Sequence, residues 1–281
     1  MKLSAYFWGA LLVACLAQGA QAASCDMAAR RLATMDGVNR AKLLQGGNFA
    51  KLDKEMDALM QQTGKSGRTD ADMLGDLMMV HQLSGREIKL LRAWASDQPQ
   101  SFLAQLALGI AYTESAGFYR GQGSAANTSR NQLDNMKKLY QSADEPLQKA
   151  LQLNPKSALP YTGFMAAAAM GASTGTTVQA YLQAANKADP KNLAARLTAM
   201  AYLSPRWGGS FELVDEVVKQ AQSALPADQF KYLQYRAVME KASDFEVIEK
   251  KPREANALYA QAKAMCDNAE AARDGWGRTL P

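Results

Sequence analysis

The second half of the chain repeats one short pattern of apolar and small residues, and each full copy ends in a proline. Within every copy the spacings are four, three and five residues. Three copies carry the full pattern: Ala143, Leu147, Ala150 and Pro155; Val178, Leu182, Ala185 and Pro190; and Val214, Val218, Ala221 and Pro226. Spacings of four and three residues place side chains on one face of an α-helix, and proline ends one helix or begins another. The pattern therefore predicts stacked helical hairpins with a period of 35 to 36 residues.

Helical periodicity extends over the rest of the chain. A degenerate fourth copy follows at Ala255, Tyr259 and Ala262. Apolar spacing predicts further helices over 49–60, 83–94, 102–112 and 211–224, the first capped by Asn48 and the last by Ser210. Glycines between positions 116 and 131 predict a loop, and Pro146 predicts a helix that restarts or kinks. Alternating patterns are scarce, so the predicted fold class is all-α.

The repeats resemble those of tetratricopeptide proteins. The inter-repeat turns match at Asn154-Pro155-Lys156-Ser157 and Asp189-Pro190-Lys191-Asn192, and Leu108-Gly109-Ile110-Ala111-Tyr112 carries the Leu-Gly-x-x-Tyr motif of the first helix. The resemblance implies a tetratricopeptide-like helical-repeat domain, an α-solenoid with a concave surface.

Residues 1–22 have the layout of a secretory signal peptide. An uncharged apolar run follows Lys2 to about Ala17, and Ala20-Gln21-Ala22 offers small residues at a cleavage site. The run is short for a membrane span, which needs roughly 20 residues. We therefore expect a periplasmic or secreted protein in which residues 23–281 form a single helical-repeat domain.

Two cysteine features bear on processing. Leu12-Val13-Ala14-Cys15 resembles a bacterial lipobox, so a membrane-anchored lipoprotein with lipid on Cys15 is the alternative. Either route leaves Cys25 and Cys266, one near each end of the mature chain. In an oxidising compartment this pair predicts a disulfide, and two free thiols are the alternative.

The residues available for chemistry argue against several classes of function. A net charge of +5 with interspersed acids and bases gives no basic face for nucleic acid. His81 is the only histidine and has no partner at metal-ligand spacing. Gly64-Lys65-Ser66 lacks the first glycine and the preceding strand of a phosphate-binding loop. We predict no catalytic residue, no metal and no cofactor, and we do not expect an enzyme.

Several motifs together resemble a bacterial family known as domain of unknown function 4034, over about 44–225. They are the opening Leu43-Leu44-Gln45-Gly46-Gly47-Asn48-Phe49 with Leu52, Trp94 followed by Pro99, Tyr119-Arg120-Gly121, Asn154-Pro155 and the segment Leu203–Ser210. A Trp-x-Ala-Arg-Gly pattern expected near Ala116 is replaced by Ala116-Gly117-Phe118-Tyr119-Arg120-Gly121. The resemblance implies a tetratricopeptide-like helical fold and no particular activity; residues 226–281 would add carboxyl-terminal repeat helices.

The least generic segment of the chain is Pro205-Arg206-Trp207-Gly208-Gly209-Ser210. Its proline and glycines predict a sharp turn that could hold Arg206 and Trp207 against Tyr119-Arg120-Gly121. One interpretation is a structural elbow, with Arg206 paired to a carboxylate such as Glu114. The other is a ligand contact, and the candidate binding residues are then Tyr119, Arg120, Gly121, Arg206, Trp207, Gly208 and Gly209.

Three functional hypotheses follow. The leading one is an exported envelope protein that binds a protein or peptide on the concave face of its repeats. The alternative is a periplasmic immunity or inhibitor protein that neutralises a toxin or secreted enzyme. A third is an enzyme with its site around Arg120, Arg206 and Trp207.

Overall fold

The computed structural model describes residues 35–65, 68–83, 88–121, 127–173 and 175–265. Over these ranges the chain forms α-helices and a 3-10 turn, and they contain no β-strand. The helices are α1 (Met35–Gln45), α2 (Phe49–Gln62), α3 (Asp70–Leu83), α4 (Ile88–Asp97), α5 (Phe102–Arg120), α6 (Arg130–Leu153), α7 (Leu159–Ala169), α8 (Val178–Ala188), α9 (Ala194–Tyr202), α10 (Phe211–Ala221), α11 (Ala227–Val247) and α12 (Pro252–Met265). The predicted all-α class is confirmed.

From α5 onward the helices form a repeated array. Each helix contacts the next, and α5, α7, α9 and α11 also contact one another in succession. The small residues of the repeated pattern lie on α6, α8, α10 and α12 and face the core, since ten of the twelve apolar positions are at most 6% exposed. The prediction of helical hairpins that stack through one apolar face is confirmed.

Leu147 shows how closely these helices approach one another. A Cβ atom added to Gly109 of α5 would lie 2.6 Å from the Leu147 side chain of α6, and one added to Gly163 of α7 would lie equally close. Leu147 itself is 1% exposed. The two glycines therefore let α5 and α7 close around a single leucine.

Helices α2, α3 and α4 pack against this array, and α1 packs against all three of them. Both α2 and α4 contact α5, and α3 contacts both α5 and α9. The buried Trp94 of α4 donates a 3.2 Å hydrogen bond to the Asp53 carboxylate of α2, which also accepts one from the Ser101 hydroxyl at the start of α5. Helix α3 thus covers part of the surface of α5 and part of the surface of α9.

Several helix bounds differ from the sequence prediction. Helix α5 continues through Gly117 to Arg120, because the residues expected to open a loop still hydrogen-bond within the helix and Gly121 closes it at φ +76°. Helix α6 runs unbroken across Pro146, whose ring is buried. The two ends of the predicted helix over 83–94 belong to different helices. Leu83 is the last residue of α3, α4 begins at Ile88, and residues 84–87 are not described. Helix α10 ends at Ala221 rather than 224.

Parts of the sequence prediction lie outside the described residues. They are the signal peptide over 1–22, Cys15, and the Cys25–Cys266 pair. Within the described ranges, none of the helices combines the length and the apolar character that a membrane crossing requires.

Candidate functional site

The segment Pro205–Trp207 forms a 3-10 turn between α9 and α10. The Ser210 N–H donates to the Leu203 carbonyl at 2.9 Å, which pulls the two ends of the loop together. Gly208 has φ +84°, and a Cβ atom on Gly209 would lie 1.9 Å from the same Leu203 oxygen. Glycine is required at both positions, by backbone conformation at the first and by close approach at the second. Ser210 then caps α10, as predicted, by accepting a bond from the Leu213 N–H.

Arg206 points from this turn toward α11. Its Nε donates to the Asp244 carboxylate, and its Nη2 donates to the Ser243 hydroxyl at 2.8 Å. The Asp244 side chain is fully buried and that of Arg206 is 14% exposed. The partner of Arg206 is therefore Asp244 and not Glu114, because the turn directs the guanidinium away from α5. Arg206 ties the turn to α11.

Trp207 points the other way and meets α5. The Arg120 Cζ atom lies 5.0 Å from the centroid of the Trp207 ring, within the range of a cation–π contact. The Tyr202 ring of α9 lies 5.9 Å from the Trp207 ring at an angle of 58°. The turn thus brings together two of the predicted residues, Arg120 and Trp207, from segments that lie far apart in the sequence.

A buried tyrosine, a half-buried tyrosine and a carboxylate complete this group. Tyr202 packs against the buried cluster that contains Tyr140 of α6, and each tyrosine affects the pKa of the other. Burial raises the pKa of Tyr202 to about 12, and the negative charge of Glu114 adds to the rise. Burial raises the pKa of Tyr140 well above its usual range, while Arg120 acts in the opposite direction. We call Glu114, Arg120, Tyr140, Tyr202 and Trp207 the Arg120 cluster.

Two exposed aromatic residues lie on α5 immediately before Arg120. Phe118 is 69% exposed and Tyr119 is 50% exposed. Their rings meet edge to face with centroids 6.1 Å apart. We call these two residues the aromatic patch. Gly121 follows Arg120 and ends the helix, since its N–H donates to the carbonyls of Gly117 and Phe118.

Sequence reasoning found some members of this site and missed others. It named Tyr119, Arg120, Gly121, Arg206, Trp207, Gly208 and Gly209, which the structure places on two neighbouring segments. It missed Phe118 as a surface aromatic, because the residue was assigned to a loop. It also missed Tyr140, Tyr202 and Asp244, whose helical spacing looks like that of any half-buried side chain. Among the described residues, no group of three His, Cys, Asp or Glu side chains is arranged to hold a metal.

The fold and this site define an all-α helical-repeat protein with an aromatic and cationic cluster at the junction of α5, α6 and α9. Residues 38–176 match the model of the family described as domain of unknown function (DUF4034). Through this segment the chain belongs to that family. No curated protein and no solved structure matches the chain.

The family match covers a different span from the predicted 44–225. It begins six residues earlier and stops before α8, so it includes Tyr119, Arg120 and Gly121 but not the segment Leu203–Ser210. The Arg120 cluster therefore joins the family domain to the repeats that follow it.

Proposed function

We propose that this chain is an exported helical-repeat protein of a bacterial cell envelope that binds a protein or peptide and catalyses no reaction. The observation that carries the proposal is the aromatic patch. Two adjacent aromatic side chains, Phe118 and Tyr119, are 69% and 50% exposed at the end of α5. Aromatic side chains are enriched in the buried centres of protein interfaces. The patch also lies on the family domain.

The proposed contact surface is the end of α5 rather than the whole concave face. Helix α3 already packs against α5 and α9, so part of the face shared by the repeats is buried within the chain. Arg206 lies outside the proposed contact surface, since its guanidinium is bonded to Asp244 and Ser243 in the interior.

A site-specific cross-linking experiment tests this proposal. A photoreactive phenylalanine replaces Tyr119 in the full-length protein expressed in its own cells, and cross-linked species are identified by mass spectrometry. Phe118→Ser should abolish the cross-linked product. Ile248→Ser is the matched control, because Ile248 is 50% exposed like Tyr119 but lies beyond the end of α11. The proposal fails if no protein is captured or if both variants behave alike.

The number of captured partners, together with the effect of deleting the gene, separates the proposed binding protein from the immunity alternative. An immunity protein has one tight partner, and deleting the gene should harm cells only while that partner is present. Several weaker partners, with no toxicity on deletion, support an adaptor role.

Export is tested on the same cells. We expect an amino terminus at Ala23 in the periplasmic fraction and no free thiol on Cys25 or Cys266 before reduction. Labelling with palmitate, lost in Cys15→Ser, would instead establish a lipoprotein.

A further inference from the structure

Helices α1 and α2 line a cavity of about 560 Å³ within the family domain. Sites that take small molecules have volumes of about 300–1,000 Å³. Leu43 of α1 and Leu59 of α2 belong to the lining, and both are half-buried against the hydrophobic core. The cavity therefore offers an aliphatic group an apolar surface. We call it the α1–α2 cavity.

The polar residues that line the α1–α2 cavity give it a net positive charge. Arg40, Lys42 and Lys51 contribute three cations, whereas Glu55 contributes a single carboxylate. Both lysines are exposed, and within the described part of the chain neither forms an ion pair. Their charges are thus available to an anionic ligand.

The amino terminus of α2 adds to the positive potential. Lys51 lies in the first turn of this helix, and that turn contains no acidic residue. Asn48 is the N-cap residue, but its side chain makes no capping bond, contrary to the sequence prediction; its Nδ2 atom instead donates to the Gly46 carbonyl at 3.4 Å. The amino end of a helix carries a partial positive charge and attracts anions.

Arg40 brings a buried charge that the protein compensates only in part. Its side chain is 7% exposed, and its Nη2 atom donates to the Asp76 carboxylate of α3 at 3.2 Å. Asp76 also accepts a bond from Arg68, so one carboxylate serves two guanidinium groups. Among the described residues, the Nε atoms of both arginines are buried without a hydrogen-bond partner. An anion beside an incompletely paired buried cation stabilises it.

We infer that the α1–α2 cavity is a binding site for a small aliphatic carboxylate, with the anionic group held by its three cations and the aliphatic chain on its two leucines. Glu55 selects the charge of the ligand, because its carboxylate repels a dianion such as a phosphate monoester more than a monoanion. The inference does not depend on the proposed function, since the aromatic patch lies on a different helix, α5.

A titration of the purified protein with sodium hexanoate tests the site. The readout is the methyl resonances of Leu43 and Leu59, assigned with Leu43→Val and Leu59→Val, and sodium chloride at equal ionic strength is the control salt. We expect saturable shifts with a dissociation constant on the order of 1 mM. Acetate lacks the aliphatic chain and hexylammonium reverses the charge, so both should bind at least about fivefold more weakly than hexanoate.

Variants with opposite effects identify the groups that hold the carboxylate. Lys42→Gln/Lys51→Gln should weaken hexanoate binding at least about fivefold, whereas Glu55→Gln should strengthen it about two- to fivefold, because a repelling charge is lost. Lys54→Gln is the matched control, since Lys54 is also an exposed lysine of α2 but does not line this cavity. It should bind hexanoate like wild type. The melting temperature checks that each variant is folded.

Contrary results overturn the inference. The site is refuted if hexanoate does not bind saturably to wild type, if sodium chloride produces the same shifts, or if the double lysine variant binds as tightly as Lys54→Gln. Hexyl phosphate binding more tightly than hexanoate would refute a carboxylate ligand, and acetate binding equally well would refute an aliphatic one. Cross-linking at position 119 with no hexanoate binding would refute this site and leave the proposed function standing.

Discussion

Asp70 and Leu193 lie 123 residues apart in the sequence, yet the Asp70 carboxylate accepts a 2.9 Å hydrogen bond from the Leu193 backbone N–H. It also accepts one from the Ala194 N–H at 3.2 Å. Leu193 is the N-cap residue of α9, and its apolar side chain cannot cap that helix. Asp70, the first residue of α3, therefore caps α9, which lies outside the family domain. This bond joins the family domain over 38–176 to the helices that follow it.

Loss of this cap should destabilise the protein. Asp70→Ala leaves two N–H groups at the start of α9 without their acceptor, whereas Asp70→Asn keeps one acceptor oxygen in place. We expect the alanine variant to have a free energy of unfolding about 1–2 kcal/mol below that of the asparagine variant. Urea denaturation measures the difference, and faster hydrogen exchange at Leu193 and Ala194 locates it. Equal stabilities would show that the cap contributes nothing.

The same carboxyl should make stability depend on pH. Burial raises the pKa of Asp70 from 3.8 to about 6; the nearby Asp189 raises it further, and the Leu193 and Ala194 N–H groups oppose the rise. Arg196 is the cation that faces this pair. The native state then holds the proton more tightly than the unfolded chain does. This contribution to stability is complete below about pH 4 and is lost as the pH rises through 6.

The comparison that isolates this effect is wild type against Asp70→Asn. Between pH 4 and pH 7 wild type should lose up to about 2 kcal/mol of unfolding free energy relative to the variant, which cannot ionise at this position. Chemical denaturation at four or five pH values measures it. A relative gain of stability by wild type over that interval would contradict the assignment.

The sequence was sufficient for the features that depend on local spacing. The positions of α2, α6, α8 and α10, and the buried face of each repeat, follow from apolar residues three and four positions apart. The end of α5 was misjudged for a physical reason. Gly117 reads as a loop residue, but its neighbour Ala116 is fully buried, and this packing holds the helix together for another turn.

The Arg206–Asp244 ion pair and the Asp70 cap of α9 could not be predicted, because nothing near these residues in the sequence indicates their partners. Asp244 lies 38 residues from Arg206, and Asp70 lies farther still from Leu193. A solvated helix face and a buried ion pair use the same residue types. The contact of Trp207 with Arg120 was predictable only because both residues lie beside glycines in unusual segments.

The Arg206–Asp244 pair should behave as a buried ion pair. Removing one partner leaves the other charge in the interior, so Asp244→Ala should lower the free energy of unfolding by about 3–5 kcal/mol. Asp244→Leu/Arg206→Met should restore a large part of this loss, because both charges are then gone.

Asp215→Ala is the control, since Asp215 pairs with Lys241 at 2.7 Å but its side chain is 61% exposed. That variant should lose less than about 1 kcal/mol. Equal losses in the two single variants would refute a buried role for Asp244.

The close approach of α5 and α6 at Leu147 predicts that the stability losses of two single variants do not add in the double variant. Gly109→Ala places a methyl group 2.6 Å from Leu147 and should cost about 1–3 kcal/mol by overpacking. Leu147→Ala leaves a cavity and should cost about 2–5 kcal/mol. In Gly109→Ala/Leu147→Ala the new methyl group occupies part of that cavity, so the loss should be clearly smaller than the sum of the two single losses.

Gly117→Ala is the control, because this exposed glycine lies on the same helix and nothing lies within 4 Å of the new methyl group. This variant should be neutral or stabilising by up to about 1 kcal/mol. Additive losses in the double variant would mean that Gly109 and Leu147 are not in contact and that the repeat array packs through other residues.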